Sequence, residues 1–88
     1  MHESGIAERI VAVALERARE AGAARITDLH LEIGEEAGAT REAVAFQVEL
    51  AARGTLVEGA RINFVEATDP RALRLAWIDV EDPEDRLA

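Results

Sequence analysis

The chain opens with Met1-His2-Glu3 and runs straight into an amphipathic stretch. An α-amine, the backbone amides of His2 and Glu3 and the imidazole of His2 follow one another closely there, and short chelate rings link neighbouring donors. Planar, nitrogen-rich sites favour Ni(II) or Cu(II) among first-row metals. The side chain after Met1 is large, so the initiator methionine is expected to stay on and keep the amine in this register. The bland reading is a start methionine followed by two polar residues, since one histidine is a weak metal signal.

A second set of candidate ligands alternates along residues 25–33. Thr27, Leu29, Leu31 and Ile33 share one parity, and Asp28, His30 and Glu32 share the other. That period is a half-buried strand. Polar residues at i, i+2 are what any solvated sheet face shows, so an ordinary face is the preferred reading and His30 as an extra ligand the lesser one. No Ser-His-Asp set with supporting motifs and no phosphate loop occurs, so no enzyme is expected.

Composition narrows the partners. The 88 residues make one domain with a small core and hold 10 Lys plus Arg against 18 Asp plus Glu, a net charge of −8. Phosphate backbones and anionic membranes would repel such a chain, whereas a cation or a basic protein surface suits it. Phe46, Phe64 and Trp77 are the aromatic residues, too few for a base-stacking platform. Without cysteine there is no disulfide, thiolate zinc site or cysteine nucleophile. No run reaches the length of a membrane span and no signal peptide is evident, so a cytoplasmic protein is expected.

These residues need elements to hold them. Ser4 reads as an N-cap, with a helix from Gly5 through Ala21 that buries Ile6, Ala7, Ile10, Val11, Val13, Ala14, Leu15 and Ala18 and stops at Gly22. After the strand at 25–33, residues 34–38 form a loop. Thr40 reads as the N-cap of a second helix, Arg41 to Arg53, with an apolar side of Ala43, Val44, Phe46, Val48, Leu50 and Ala51 and with Gln47 at an edge or hydrogen-bonded. Gly54 stops it. A second strand runs from Ala60 to Glu66 with Ile62 and Phe64 inward. Asp69-Pro70 marks a turn, and a third strand runs from Leu73 to Glu81. Leu73 and Leu75 have opposite parity to Ile78 and Val80. A β-bulge near Ala76-Trp77 would return both pairs to the core; otherwise Ile78 and Val80 join Ile26 and Val65 in an apolar patch on the other face. Glu84 and Asp85 belong to an acidic, solvated tail. The expectation is an α+β fold of order α-β-α-β-β: two helices on one face of a three-stranded sheet, with the second and third strands paired antiparallel and the strand order otherwise open.

With these pieces in place the chain resembles the HypA/HybF family of hydrogenase (and urease) nickel-incorporation metallochaperones. The matching stretches are Met1-His2-Glu3 opening onto the helix, Ile33-Gly34-Glu35 with Gly38, Glu42-Ala43, Gly54-Thr55-Leu56, Leu73-Arg74-Leu75 and Ile78-Asp79-Val80-Glu81. The family inserts a zinc module with two Cys-x-x-Cys pairs between its last two strands, where this chain has only residues 67–72. It also carries an acidic residue near the start of the second helix, where this chain has Thr40. The resemblance implies a single nickel-binding domain over residues 1–88 with no structural zinc. Its Ni(II) donors would come from Met1, His2 and Glu3. Its partners would be a nickel-delivering maturation GTPase and the large subunit of a nickel enzyme, [NiFe] hydrogenase first among them. The alternative is a paralogue without the zinc module that binds proteins and not metal, as a homodimer or an accessory subunit in an assembly pathway.

Overall fold

The computed structural model describes the backbone of residues 3–83 and the side chains of residues 5–83. The elements are α1 (Glu3–Ala21), β1 (Arg25–Ile33), α2 (Arg41–Ala52), β2 (Arg61–Glu66) and β3 (Leu73–Glu81). The order is the expected one, and both helices cover one face of the sheet through a single apolar core.

The α1 helix begins at Glu3, earlier than the Ser4 cap expected from sequence. Ser4 and Gly5 fall in its first turn, where the N–H groups have no intrahelical acceptor in any case. Its far end follows the sequence signal. Gly22 takes φ +66°, its N–H donates to the Arg19 carbonyl at 3.1 Å, and the Ala23 N–H donates to the Ala18 carbonyl at 3.0 Å. This is the paired closure of a Schellman motif, which needs a left-handed residue.

The sheet order is β2-β1-β3. β1 pairs with β2 in parallel, through α2, and with β3 antiparallel. The expected antiparallel pair of β2 and β3 does not form, because β1 lies between them. The reason is in the connection. Residues 67–72 cross over the end of β1: the Ala67 N–H donates to the Ile33 carbonyl at 3.1 Å, and the Gly34 N–H to the Ala72 carbonyl at 2.9 Å. Both edges of β1 are thereby satisfied, and its apolar residues Ile26, Leu29 and Leu31, all fully buried, sit at the centre of the core.

The bulge expected in β3 is present at Ala76, which stands between the pairs His30–Trp77 and Leu31–Leu75. Leu73, Leu75, Ile78 and Val80 therefore all pack on the core, and Arg17 Nη1 donates to the freed Ala76 carbonyl at 3.1 Å. A second irregularity, at Thr27, was not expected. It lies between the pairs Ile26–Val80 and Asp28–Asp79. It turns Ile26 into the core in place of Thr27, whose hydroxyl donates to the Asp79 carbonyl at 3.2 Å.

Thr40 caps α2 as expected, its Oγ1 accepting from the Ala43 N–H at 3.0 Å. The buried row of α2 is narrower than its apolar arc: Val44, Val48 and Ala52 are buried, Gln47 is half-buried, and Phe46 and Leu50 are exposed. Geometry accounts for this. Three strand axes span about 10 Å, whereas two helices side by side need about 20 Å. The α1 helix packs on β3, β1 and α2, and α2 overhangs.

Candidate functional site

Met1 and His2, and the side chain of Glu3, lie outside the described residues, as do Glu84 and Asp85. The backbone of Glu3 is the first residue of α1, so the amide that would serve as a donor belongs to a helix N-terminus. Amides there have no acceptor within the helix. The positive end of the helix dipole also favours negative charge at that point. Thr40 is committed to capping α2 through its hydroxyl. It lines a cleft of about 320 Å³ with Ile33, Gly34, Glu35, Arg41 and Glu66.

Potential ligands also gather on the sheet face turned away from the helices. Asp28, His30 and Glu32 do share that face, but it is not a plain solvated surface. Asp28 is only 8% exposed. Arg61 grips it from β2, with Nη2 3.0 Å from Oδ1 and Nε 2.9 Å from Oδ2, and Asn63 Nδ2 donates to Oδ2 at 3.2 Å. The Arg61 hydrogen bond, helped by Thr27 and Asn63, outweighs burial and lowers the Asp28 pKa to about 2. The same contact raises that of Arg61.

Glu32 leaves the group by pairing with Arg74, whose Nη2 and Nε lie 2.9 and 3.1 Å from Oε2. Asp79 of β3 takes its place. Its Oδ2 lies 2.7 Å from His30 Nε2, and the His30 ring stacks on Trp77 with centroids 4.2 Å apart and planes 11° from parallel. Asp28, His30 and Asp79 each present a ligand atom, all within 4.8 Å of one another. Asp79 and Trp77 were not singled out as partners of His30 from sequence. The bulge at Ala76 was the available signal: if Ile78 and Val80 face the core, Trp77 and Asp79 must flank them on the opposite face.

No helix among the described residues is long and apolar enough to cross a membrane. The family model described as hydrogenase/urease nickel incorporation, metallochaperone, HypA matches residues 1–73. The chain belongs to the HypA family. Curated HypA relatives agree: the hydrogenase maturation factor HypA of Roseiflexus sp. (strain RS-1) is 44% identical over 66 residues, covering 75% of this chain and 54% of the relative. That of Chloroflexus aurantiacus (strain ATCC 29366 / DSM 635 / J-10-fl) is 45% identical over 66 residues, covering 75% and 58%. The chain thus spans little more than half the length of these HypA relatives. The solution structure of the Ni metallochaperone HypA from Helicobacter pylori has the same fold, with a TM-score of 0.82 over 93% of this chain and 99% of that one at 16% identity.

Proposed function

We propose that this HypA-family chain binds Ni(II) at its N-terminus and hands it to a maturing nickel enzyme, [NiFe] hydrogenase first among the candidates. The observation that carries the reading is the family match beginning at residue 1, with Met1-His2-Glu3 leading directly into α1 at Glu3. The Met1 amine, the His2 and Glu3 amides and the His2 ring are the donors. They need not all bind together. A free amide nitrogen at a helix start can lose its proton without breaking a helix hydrogen bond, and the dipole offsets the resulting charge. Glu3 adds negative charge beside the ion.

A carrier must also let its metal go, which suits a short exposed chelate with few donors. The partners in this reading are the nickel-delivering maturation GTPase and the large subunit of the enzyme. The chain acts as a cytoplasmic carrier and not as a catalyst. It works as one nickel-binding domain without the zinc module, since residues 67–72 join β2 to β3 directly.

The test is Ni(II) titration of tag-free protein. Wild type should develop the absorption of a diamagnetic planar Ni(II) site, saturating at about one such site per chain, and His2→Ala should lose that absorption. Equal planar absorption in the two proteins, or its absence from both, would overturn the reading in favour of the protein-binding paralogue.

A further inference from the structure

We propose that the open face of the sheet holds a second metal site, in which His30 Nε2 and one carboxylate oxygen each from Asp79 and Asp28 bind a divalent first-row transition ion. The site is separate from the N-terminal chelate, shares no residue with it and does not depend on it.

Strand register supplies the first argument. Asp28 and Asp79 are direct partners across β1 and β3, and like charges placed opposite one another on paired strands destabilise a sheet. Arg61 offsets part of that repulsion from the Asp28 side, and an ion between the two carboxylates would offset the rest. His30 projects from the same face, and the ligand atoms of all three residues lie within 4.8 Å of one another. Donors bound at about 2.0–2.2 Å to one ion lie up to about 4.4 Å apart, so small side-chain adjustments suffice. The ion replaces the hydrogen bond between His30 Nε2 and Asp79 Oδ2, now 2.7 Å apart, with the single proton of the neutral imidazole on Nδ1.

The second argument is support around the donors. Trp77 holds the imidazole plane by stacking, and Arg61 and Asn63 orient Asp28. Metal-ligating carboxylates are characteristically fixed by such outer hydrogen bonds. Arg61 does not exhaust Asp28, because two carboxylate oxygens offer about four acceptor positions. Asp79 is more than half exposed and gives the ion its route in and out.

Donor chemistry selects the class of ion. One imidazole with two carboxylates suits Zn(II), Ni(II) and Cu(II). Mg(II) and Ca(II) need an all-oxygen shell that these residues do not supply.

The chain contains a single tryptophan, and it is the one stacked on His30, so indole fluorescence reports on this site. The experiment titrates Cu(II) and Ni(II) into tag-free His2→Ala protein, which lacks the N-terminal imidazole. The expected result is saturable quenching of Trp77 at one ion per chain. It should be reversed by Zn(II), which is not itself a quencher, at a larger excess against Cu(II) than against Ni(II), and should not be reversed by millimolar Mg(II). Adding His30→Gln or Asp79→Asn to that background should weaken binding by about tenfold or more, since even an outer-shell loss costs about 10- to 100-fold. Asp79→Asn leaves the stacked pair intact, so its effect cannot be ascribed to a changed indole environment, and far-UV circular dichroism checks the fold of each variant. Quenching that does not saturate, or that is the same with and without Asp79 and His30, would overturn the proposal. Failure of the N-terminal reading has a different signature, because it appears in the planar Ni(II) absorption of wild type against His2→Ala and leaves the Trp77 signal unaffected.

Discussion

Gly34 lies directly against Pro70. A Cβ built on Gly34 would sit 2.4 Å from the Pro70 carbonyl oxygen and 2.4 Å from that of Asp69. The connection between β2 and β3 can fold over the end of β1 only because position 34 has no side chain. The Glu36 N–H then donates to the same Pro70 carbonyl at 2.6 Å. Gly34→Ala should therefore destabilise the protein by about 1–3 kcal/mol, the range for forcing extra volume into a packed site. Denaturant melts of the two proteins check this, and an unchanged midpoint would mean that the crossing is loose.

The Asp28–Arg61 pair predicts an acid limb of stability. The Asp28 carboxyl has a pKa of about 2 in the folded chain and about 3.9 when unfolded. Between these values the unfolded state binds a proton that the folded state refuses. Stability from this group is therefore complete above about pH 4 and is lost as pH falls toward 2. Asp28→Asn should be less stable than wild type at pH 6, and the gap should close toward pH 2. Melts at a series of pH values test the convergence; a constant gap would show that Asp28 acts through packing and not through charge.

Core and overhang should separate cleanly in mutation. Leu31 is fully buried at the middle of β1, whereas Phe46 is 58% exposed on α2. Leu31→Ala should cost about 2–5 kcal/mol, and Phe46→Ala less than about 1 kcal/mol, as expected for a surface position. Chemical denaturation of both variants decides. A large loss at Phe46 would mean that the α2 face is covered in solution, by a second copy or by another protein.

The same pair shows how far the sequence could be read. Period and caps located all five elements to within a few residues, because Gly22 and Thr40 act through local hydrogen bonds. The parity break in β3 even disclosed the bulge at Ala76. What stayed hidden depended on contacts between distant segments. Nothing local says that β1 sits between β2 and β3, and Gly34 carried that information only as a missing side chain. Likewise the α2 arc looked uniformly buried, since sequence period cannot tell how wide the sheet beneath it is. On the open face, Asp28 and His30 were visible as a polar stripe. Their true partners, Arg61 and Asp79, come from β2 and β3 and required the strand order. The N-terminal triplet could be proposed as donor chemistry from sequence because its candidate donors are consecutive in the chain.

The fold should not need zinc. Its core is an apolar cluster drawn from every helix and strand, and residues 67–72 are held by backbone hydrogen bonds to Ile33, Gly34 and Glu36. In excess EDTA the protein should keep its helical dichroism and melt cooperatively, unlike zinc-dependent modules that unfold without metal. Elemental analysis of folded protein after dialysis against EDTA should find no stoichiometric zinc. One zinc per chain that survives EDTA, or collapse in chelator, would contradict this, whereas zinc stripped without loss of fold would belong to the open-face site.

The last prediction concerns the register of the N-terminal chelate. If the Met1 amine, the following amides and the His2 ring bind Ni(II), one extra residue before Met1 moves the amine out of its chelate ring while leaving His2 and α1 unchanged. Ni(II) binding should weaken markedly in the extended protein, and melting should stay the same because the core is untouched. Cu(II) should bind the native N-terminus more tightly than Ni(II), following the general affinity order. Acid should release either ion as the amide and imidazole donors regain protons. His30→Ala should leave the planar Ni(II) absorption intact, because that ring lies on the open sheet face against Trp77. Calorimetric titrations of native and extended protein, followed by absorption against pH, separate these effects. Equal Ni(II) affinity with and without the extra residue would exclude the amine as a donor and shift the site to the His2 ring and carboxylates.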